Sequence, residues 1–294
     1  MIVNRRAHAK LNVFLRVLGR RDDGYHDIQT AILPLELHDV VTVEPADELE
    51  VAVVGERAHE LGEAGESLSG RAAHAWATAA RVGAPRALIT IEKRIPVAAG
   101  LGGGSADAAA TLLALDELFG SPLSPEAMVE AASTVGSDVP ALLAGGPVFA
   151  EGRGERVVPL HAVATHWVML PLPFAVRSAD AYRWWDERPE TGPDAGALLA
   201  AIETGDDEIV GSAMFDDLQP PVAYRHPEVD RAVAAFRDAG ALGAIMSGSG
   251  PTVVALARHL GHADRIAAAV PGSFVTVCAP PMPPRTMGAP SGVV

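Results

Sequence analysis

A chain of 294 residues, 49% hydrophobic and 20% charged, is globular rather than disordered and long enough to bury a sizeable core in one large domain or two of ordinary size. Its net charge of −14, with nothing resembling a basic stripe, argues against nucleic acid as a partner, so attraction for an anionic substrate must be local. Cys278 is the only cysteine, which rules out an intrachain disulfide and a thiolate zinc cluster and fits a reducing cytoplasm.

From Ala7 to Val17 the odd positions are all apolar, while His8, Lys10, Asn12 and Arg16 share the other parity with Phe14. That period of two predicts a strand carrying Lys10 and Asn12 on one face. The polar run GRRDDG predicts a tight loop that delivers Tyr25 and His26 to a second extended segment, with a further strand near Val40 to Val43. Gly55 to Gly65 reads as a loop, Ser67 to Arg81 as a helix and Ala87 to Lys93 as a strand. Lys10 and Lys93 are the only lysines among 23 basic Lys and Arg residues, so a lysine inside an ordered segment draws notice.

The next stretch, PVAAGLGGGSADAAATLLALDELFG, places a crowded run of glycines before an alanine-rich helix. Ser105 is the expected N-cap, Ala108, Leu112, Leu115 and Phe119 repeat at helical spacing, and Gly120 is the expected stop. Bare backbone at a helix entrance suits phosphate, because the unpaired N–H groups of the first turn carry partial positive charge. A sharp strand-to-helix connection explains the same glycines without a ligand. The P-loop pattern is absent, since neither lysine follows a suitable glycine, and the dinucleotide fingerprint fails because Ser105 stands where its third Gly or Ala belongs.

Pro125 to Thr134 predicts another helix, and GSDVP at 136–140 begins a third. In the second half, strands are expected near His166 to Leu170, Val253 to Leu256 and Phe274 to Cys278, and helices near Ala195 to Glu203 and Val229 to Ala239. The result is an α+β chain of two domains meeting between Gly152 and Val163, set at 1–156 and 157–294, with a proline-rich tail expected to be disordered from about 284. The uncharged runs Val157 to Val176 and Ile266 to Pro284 are broken by prolines, and Lys10, Asn12 and Arg16 interrupt any signal-peptide core. Neither a membrane span nor export is expected, and the cytoplasm is the expected location.

PVAAGLGGGSADAA resembles the phosphate loop of the GHMP kinases, the superfamily of galactokinase, homoserine kinase and mevalonate kinase. AKLNVFLRVLGRRDDGYHDIQT at 9–30, GSDVP at 136–140 and SGSGPT at 247–252 are similar to the branch of that family acting on cytidyl-diphosphate methylerythritol. The resemblance implies an N-terminal domain like domain 2 of ribosomal protein S5, a ferredoxin-like C-terminal domain and a site in the cleft between them. It implies transfer of the γ-phosphate of ATP to the 2-hydroxyl of that substrate, a step of non-mevalonate isoprenoid synthesis, with Mg²⁺ held mainly through the phosphates. Nucleic acid and membrane are not implied as partners, and a monomer and a homodimer are both compatible.

The same resemblance implies the site. Pro96, Val97, Ala98, Ala99, Gly100, Leu101, Gly102, Gly103, Gly104, Ser105 and Ala106 would form the nucleotide loop. Asp138, which from its sequence is equally a helix cap, would take the proton from the attacking hydroxyl. Lys10, otherwise a solvated charge on an edge strand, would balance charge on the phosphoryl group. Tyr25 and His26, by default an ordinary hairpin pair, would recognise cytosine by stacking and hydrogen bonding, with Tyr182 closing the other side. Asn12, on the Lys10 face, would hold the substrate's diphosphate or hydroxyls or equally bond neighbouring backbone, and Ser247, Gly248 and Thr252 would hold its phosphates, although a simple turn needs the same glycines.

Four positions depart from the family's pattern: Ala106 stands where some members have a second serine, Asp107 and Asp216 replace asparagines, and Ser67 stands where an asparagine near adenine is common. A carboxylate at 107 is unfavourable beside phosphates unless it faces away or helps hold Mg²⁺. The competing readings are another small-molecule kinase acting on mevalonate or homoserine, a dinucleotide-dependent oxidoreductase, and a non-catalytic nucleotide-binding protein. The first leaves Tyr25 and His26 without purpose, the second lacks an acidic ribose partner, and the third does not require Lys10 and Asp138 to meet.

Overall fold

The computed structural model describes residues 1–61, 67–120, 123–161 and 164–278. The alternation at the N-terminus becomes β1 (Val3–Arg20), which turns through the GRRDDG loop into β2 (His26–Pro45). These two strands pair antiparallel from Arg20↔His26 to Val3↔Val43, with register shifts between His8 and Lys10 and between Asn12 and Phe14. Bulges re-aim side chains, and here they flank the two polar residues of the strand's buried middle. The strand expected separately at Val40 to Val43 is the far end of β2: its polar interruption at Asp39 is buried by an ion pair to Lys93 rather than by a turn.

The chain continues through β3 (Glu50–Val54), a 3₁₀ turn (Ala58–Leu61), α1 (Leu68–Ala80), β4 (Ala87–Glu92), α2 (Gly103–Leu118), α3 (Pro125–Val135), α4 (Val139–Leu143), β5 (Val148–Gly152) and β6 (Arg156–Pro159). Then follow β7 (His166–Leu170), α5 (Ser178–Asp186), α6 (Gly196–Thr204), α7 (Asp207–Ala213), β8 (Phe215–Asp216), α8 (Gln219–Arg225), α9 (Glu228–Asp238), β9 (Gly243–Met246), β10 (Val253–Ala257), α10 (Leu260–Ala269) and β11 (Phe274–Val277). The tail expected to be disordered lies outside the described residues.

Two sheets result. The first has seven strands, with β3-β4-β2-β1-β8 in order and β5 and β6 attached to β2. β6 spans the expected boundary at 156, and the two-residue β8 returns from the second half to pair parallel with β1. The second sheet is antiparallel in the order β11-β7-β10-β9, which with α9 and α10 gives the ferredoxin-like arrangement.

α1, α2 and α3 cover one face of the first sheet through Trp76, Ala108, Leu112, Leu115 and Ala132. The inward residues Ala9, Leu11 and Val13 of β1 and Leu33 and Leu35 of β2 instead meet Trp167, Met169 and Val254 of the second sheet. One apolar core therefore joins both halves, and the polar face of β1 opens into the cleft that their meeting creates.

Candidate active site

The helix that follows the glycine run starts three residues earlier than its sequence suggests. Gly102, at φ 69°, occupies the N-cap position, α2 begins at Gly103, and the first helical bond runs from Ala106 N to the Gly102 carbonyl. Ser105 thus lies inside the first turn rather than capping it. Gly102 has no side chain to fold back, so the N–H groups of Gly103, Gly104 and Ser105 lack an intrahelical acceptor and present an anion site.

The run before it is tightly seated. A Cβ at Gly100, whose φ is 76°, would lie 2.3 Å from the Gly250 carbonyl oxygen, and one at Gly102 would lie 2.8 Å from Lys10 Cγ. Ala98 adopts φ 55°, a left-handed conformation costing an alanine about 1–2 kcal/mol. Ala99, Leu101 and Ala106 are buried and anchor the loop from below, whereas Ala98 and Gly104 are exposed and Pro96, Val97, Gly100, Gly102, Gly103 and Ser105 are partly so. The backbone of Lys10 donates to the Leu101 carbonyl at 2.9 Å, which lays the loop across β1.

Lys10 is 5% exposed. Its Nζ donates to Asn12 Oδ1 at 2.7 Å and stands 3.8 Å from Asp138 Oδ2. Asp138 begins α4 but makes no capping hydrogen bond, and its side chain is 44% exposed to the cleft. Asn12 is fixed by donating Nδ2–H to Thr30 Oγ1 (2.7 Å) and N–H to Ser247 Oγ (2.9 Å). Ser247 and Thr252 are fully buried, and the Thr252 hydroxyl donates to the Ala99 carbonyl at 2.6 Å. Their hydroxyls tie loop to strand; Gly248 and Ser249 are the residues of this run that line the cleft.

The cleft has a volume of about 820 Å³. Lys10, Asp138 and Ser105 mark one part of its lining; Tyr25, His26 and Tyr182 mark another. Tyr25 is 51% exposed beneath the Arg153 guanidinium, 4.7 Å from its ring centroid. His26 is stacked on Tyr182 with centroids 4.8 Å apart and donates or accepts at Nε2 with Asp186 Oδ1 at 2.8 Å. Burial, with the nearby charges of Asp138 and Asp216, raises the Tyr182 phenol well above its ordinary pKa, so it is neutral.

Asp107 faces away from the loop's open side. Its Oδ2 accepts from Lys93 Nζ at 2.8 Å, and Lys93 also donates to Asp39, whose Oδ1 accepts the N–H groups of Arg94 and Ile95. All three charged side chains are buried beneath the first turn of α2. Burial pushes the Asp107 carboxyl up to about 7 against the pull of Lys93, while burial of Lys93 is outweighed by Asp107 and Asp39, which raise its pKa.

Asp216 lies buried next to the SGSG loop. Its Oδ1 accepts from Leu218 N at 2.8 Å, and burial pushes its carboxyl well above the ordinary range against the pull of the Leu218 and Gly248 N–H groups. Ser67 caps α1, its Oγ accepting from Gly70 N. Sequence reasoning missed Thr30, Ser137, Arg153, Ser178 and Asp186, all of which line the cleft.

Residues 68–146 match the GHMP kinases N terminal domain family and residues 198–276 the GHMP kinases C terminal family. The chain is 44% identical over 251 residues to a Symbiobacterium thermophilum protein named 4-diphosphocytidyl-2-C-methyl-D-erythritol kinase, covering 84% of this chain and 88% of the relative. A Pelotomaculum thermopropionicum protein of the same name is 41% identical, with 91% and 93% covered. A crystal structure of a 4-(cytidine 5'-diphospho)-2C-methyl-D-erythritol kinase superposes with TM-score 0.78 at 34% identity, over 95% of this chain and all of the other. With the glycine loop, the ferredoxin-like sheet and these relatives in agreement, the chain belongs to the 4-diphosphocytidyl-2-C-methyl-D-erythritol kinase family of GHMP kinases.

Proposed function

We propose that the protein transfers the γ-phosphoryl group of ATP to the 2-hydroxyl of 4-diphosphocytidyl-2-C-methyl-D-erythritol. The carrying observation is that the Lys10 ammonium and the Asp138 carboxylate stand 3.8 Å apart beside an uncapped glycine-rich helix start. In that arrangement the N–H groups of Gly103 to Ser105 receive phosphate oxygens, and the loop's glycines let the backbone come close. Asp138 takes the hydroxyl proton as the oxygen attacks, and Lys10 stabilises charge on the transferring group. Asn12 holds Lys10 in place through Oδ1. Phosphoryl transfer asks chiefly for such alignment and charge stabilisation.

The aromatic part of the cleft supports the cytidyl assignment over mevalonate or homoserine. Tyr25, His26 and Tyr182 supply flat apolar faces and polar tips that a small aliphatic acceptor does not use. Arg153, over the Tyr25 ring, and Arg20, beside Asp186, both line the cleft and would offer positive charge to a diphosphate. No group of three His, Cys, Asp or Glu side chains among the described residues could cage a metal, and Asp107 is held by Lys93. Mg²⁺ would therefore bind through the nucleotide's phosphates, and no step here depends on a protein ligand to it.

Incubation with Mg-ATP and the cytidyl-diphosphate sugar alcohol should give a new phosphomonoester resonance by ³¹P NMR. ATP consumption without that resonance, or product from mevalonate or homoserine instead, would sink the assignment.

A further inference from the structure

His26 is held by a single helix face that the phosphoryl-transfer chemistry leaves unused. In α5, Trp185 and Asp186 lie three and four residues after Tyr182, so both neighbour it on one side of the helix. Tyr182 stacks on the imidazole at 4.8 Å and 19°, and Trp185 meets it edge-on at 5.9 Å and 89°. Asp186 Oδ1 stands 2.8 Å from Nε2, and its other oxygen is 3.7 Å from Arg20 Nη1. Ring plane and ring rotation are both fixed by these contacts. The other nitrogen, Nδ1, has no protein hydrogen-bond partner among the described residues, and His26 lines the cleft.

Asp186 paired with Arg20 is an acceptor only, so the nitrogen facing it must carry the proton. A neutral imidazole protonated on Nε2 leaves Nδ1 as a lone-pair acceptor. We propose that Asp186 is a specificity-setting positioning residue: it fixes the His26 tautomer so that Nδ1 accepts from the exocyclic amine of cytosine and repels the 4-carbonyl of uracil. This rests on the cytidyl reading above. Cytosine presents an amine donor at the edge where uracil presents an acceptor oxygen, so one fixed lone pair both rewards the first and penalises the second. Without Asp186 either tautomer is available, and Nδ1–H can serve uracil. The Asp186 carboxylate acts through His26 and does not itself touch the base.

The test uses the full chain with CDP and UDP as probes, read by isothermal titration so that turnover is not required. The native protein should bind CDP at least about tenfold more tightly than UDP, the scale of one lost hydrogen bond between well-placed groups. Asp186→Ala should cut that ratio by about tenfold, chiefly by weakening CDP, while leaving kcat at saturating substrate within a few-fold. ¹⁵N NMR of the histidine-labelled native protein should show His26 protonated at Nε2 and bare at Nδ1, and the variant should show exchange between tautomers. The His26 signals are assigned by their loss in His26→Phe. Undiminished CDP preference in Asp186→Ala, or a native His26 carrying its proton on Nδ1, would overturn the inference while leaving the cytidyl reading intact. Failure of the native protein to bind CDP would overturn both.

Discussion

Asp107→Asn isolates the buried charge cluster beneath the phosphate loop. The substitution keeps the side chain's shape and leaves an amide oxygen to accept from Lys93, so only the titration is removed. In the folded chain burial pushes the Asp107 carboxyl from its ordinary 3.8 up to about 7. Between those values the folded state holds a proton that the unfolded state has released, so stability from this group is complete below about pH 4 and is lost as pH rises through 7. Each pH unit is worth at most about 1.4 kcal/mol, so the window sets a ceiling of roughly 4 kcal/mol, which relaxation and water penetration will reduce. The variant should therefore gain at least about 1 kcal/mol on the native protein between pH 5 and pH 7, with the difference levelling off above pH 7. Urea unfolding at pH 5, 6, 7 and 8, followed by tryptophan fluorescence, measures that difference, and titrating groups outside the Lys93–Asp39 cluster cancel from it. Parallel stability curves for the two proteins would refute the account of Asp107 as a carboxyl strained by burial.

Gly100→Ala would place a methyl group 2.3 Å from the Gly250 carbonyl in a left-handed backbone, so it should cost roughly 1–3 kcal/mol by thermal melting and lower kcat/KM by at least about tenfold as the two loops part. An unchanged kcat/KM would mean that this close approach is not needed for catalysis. Asp138→Ala should reduce kcat by about 10²–10⁴, the usual worth of a positioned base, while calorimetry finds ATP affinity within a few-fold. Near-normal turnover would remove Asp138 from the chemistry. Tyr25→Ala should weaken the cytidyl substrate by roughly 1–3 kcal/mol through lost stacking, read as KM with kcat little changed; an unaltered KM would take Tyr25 out of the pocket.

Much of the site was legible because its parts are local patterns. The parity of Lys10 and Asn12, the glycines before α2 and the GSDVP run each state their geometry within a few residues, and the fold places all three together. What was not legible depends on distant elements. Asp186 lies in RSADAYRWWDE, a run with no signature of its own, and matters only because α5 docks where β1 turns into β2. β8 has two residues, too few for any period, yet it carries the buried Asp216 alongside Leu15 of β1. Ser105 reads as a cap because serine is a favoured N-cap residue, but a left-handed glycine at 102 starts the helix earlier and leaves the first turn's N–H groups uncovered. Asp107 reads as a phosphate neighbour until β2 and β4 bring Asp39 and Lys93 beneath it.

The looseness of the Lys10–Asp138 pair is itself informative. A tight bidentate pair would occupy the carboxylate's lone pairs and hide them from a substrate hydroxyl. At 3.8 Å the ammonium lies outside good hydrogen-bonding distance, while its real hydrogen bond goes to Asn12 Oδ1 at 2.7 Å. Asn12 in turn is locked by Thr30 and Ser247, so the lysine is positioned by neutral groups rather than by the acid it faces. Asp138 is relieved of its other natural task as well, since it stands at a helix start without capping it. A carboxylate excused from both duties keeps its lone pairs toward the cleft, beside a fixed positive charge and an uncapped helix start. On the proposed function, that division of labour would let Asp138 receive a proton while its neighbours receive phosphate.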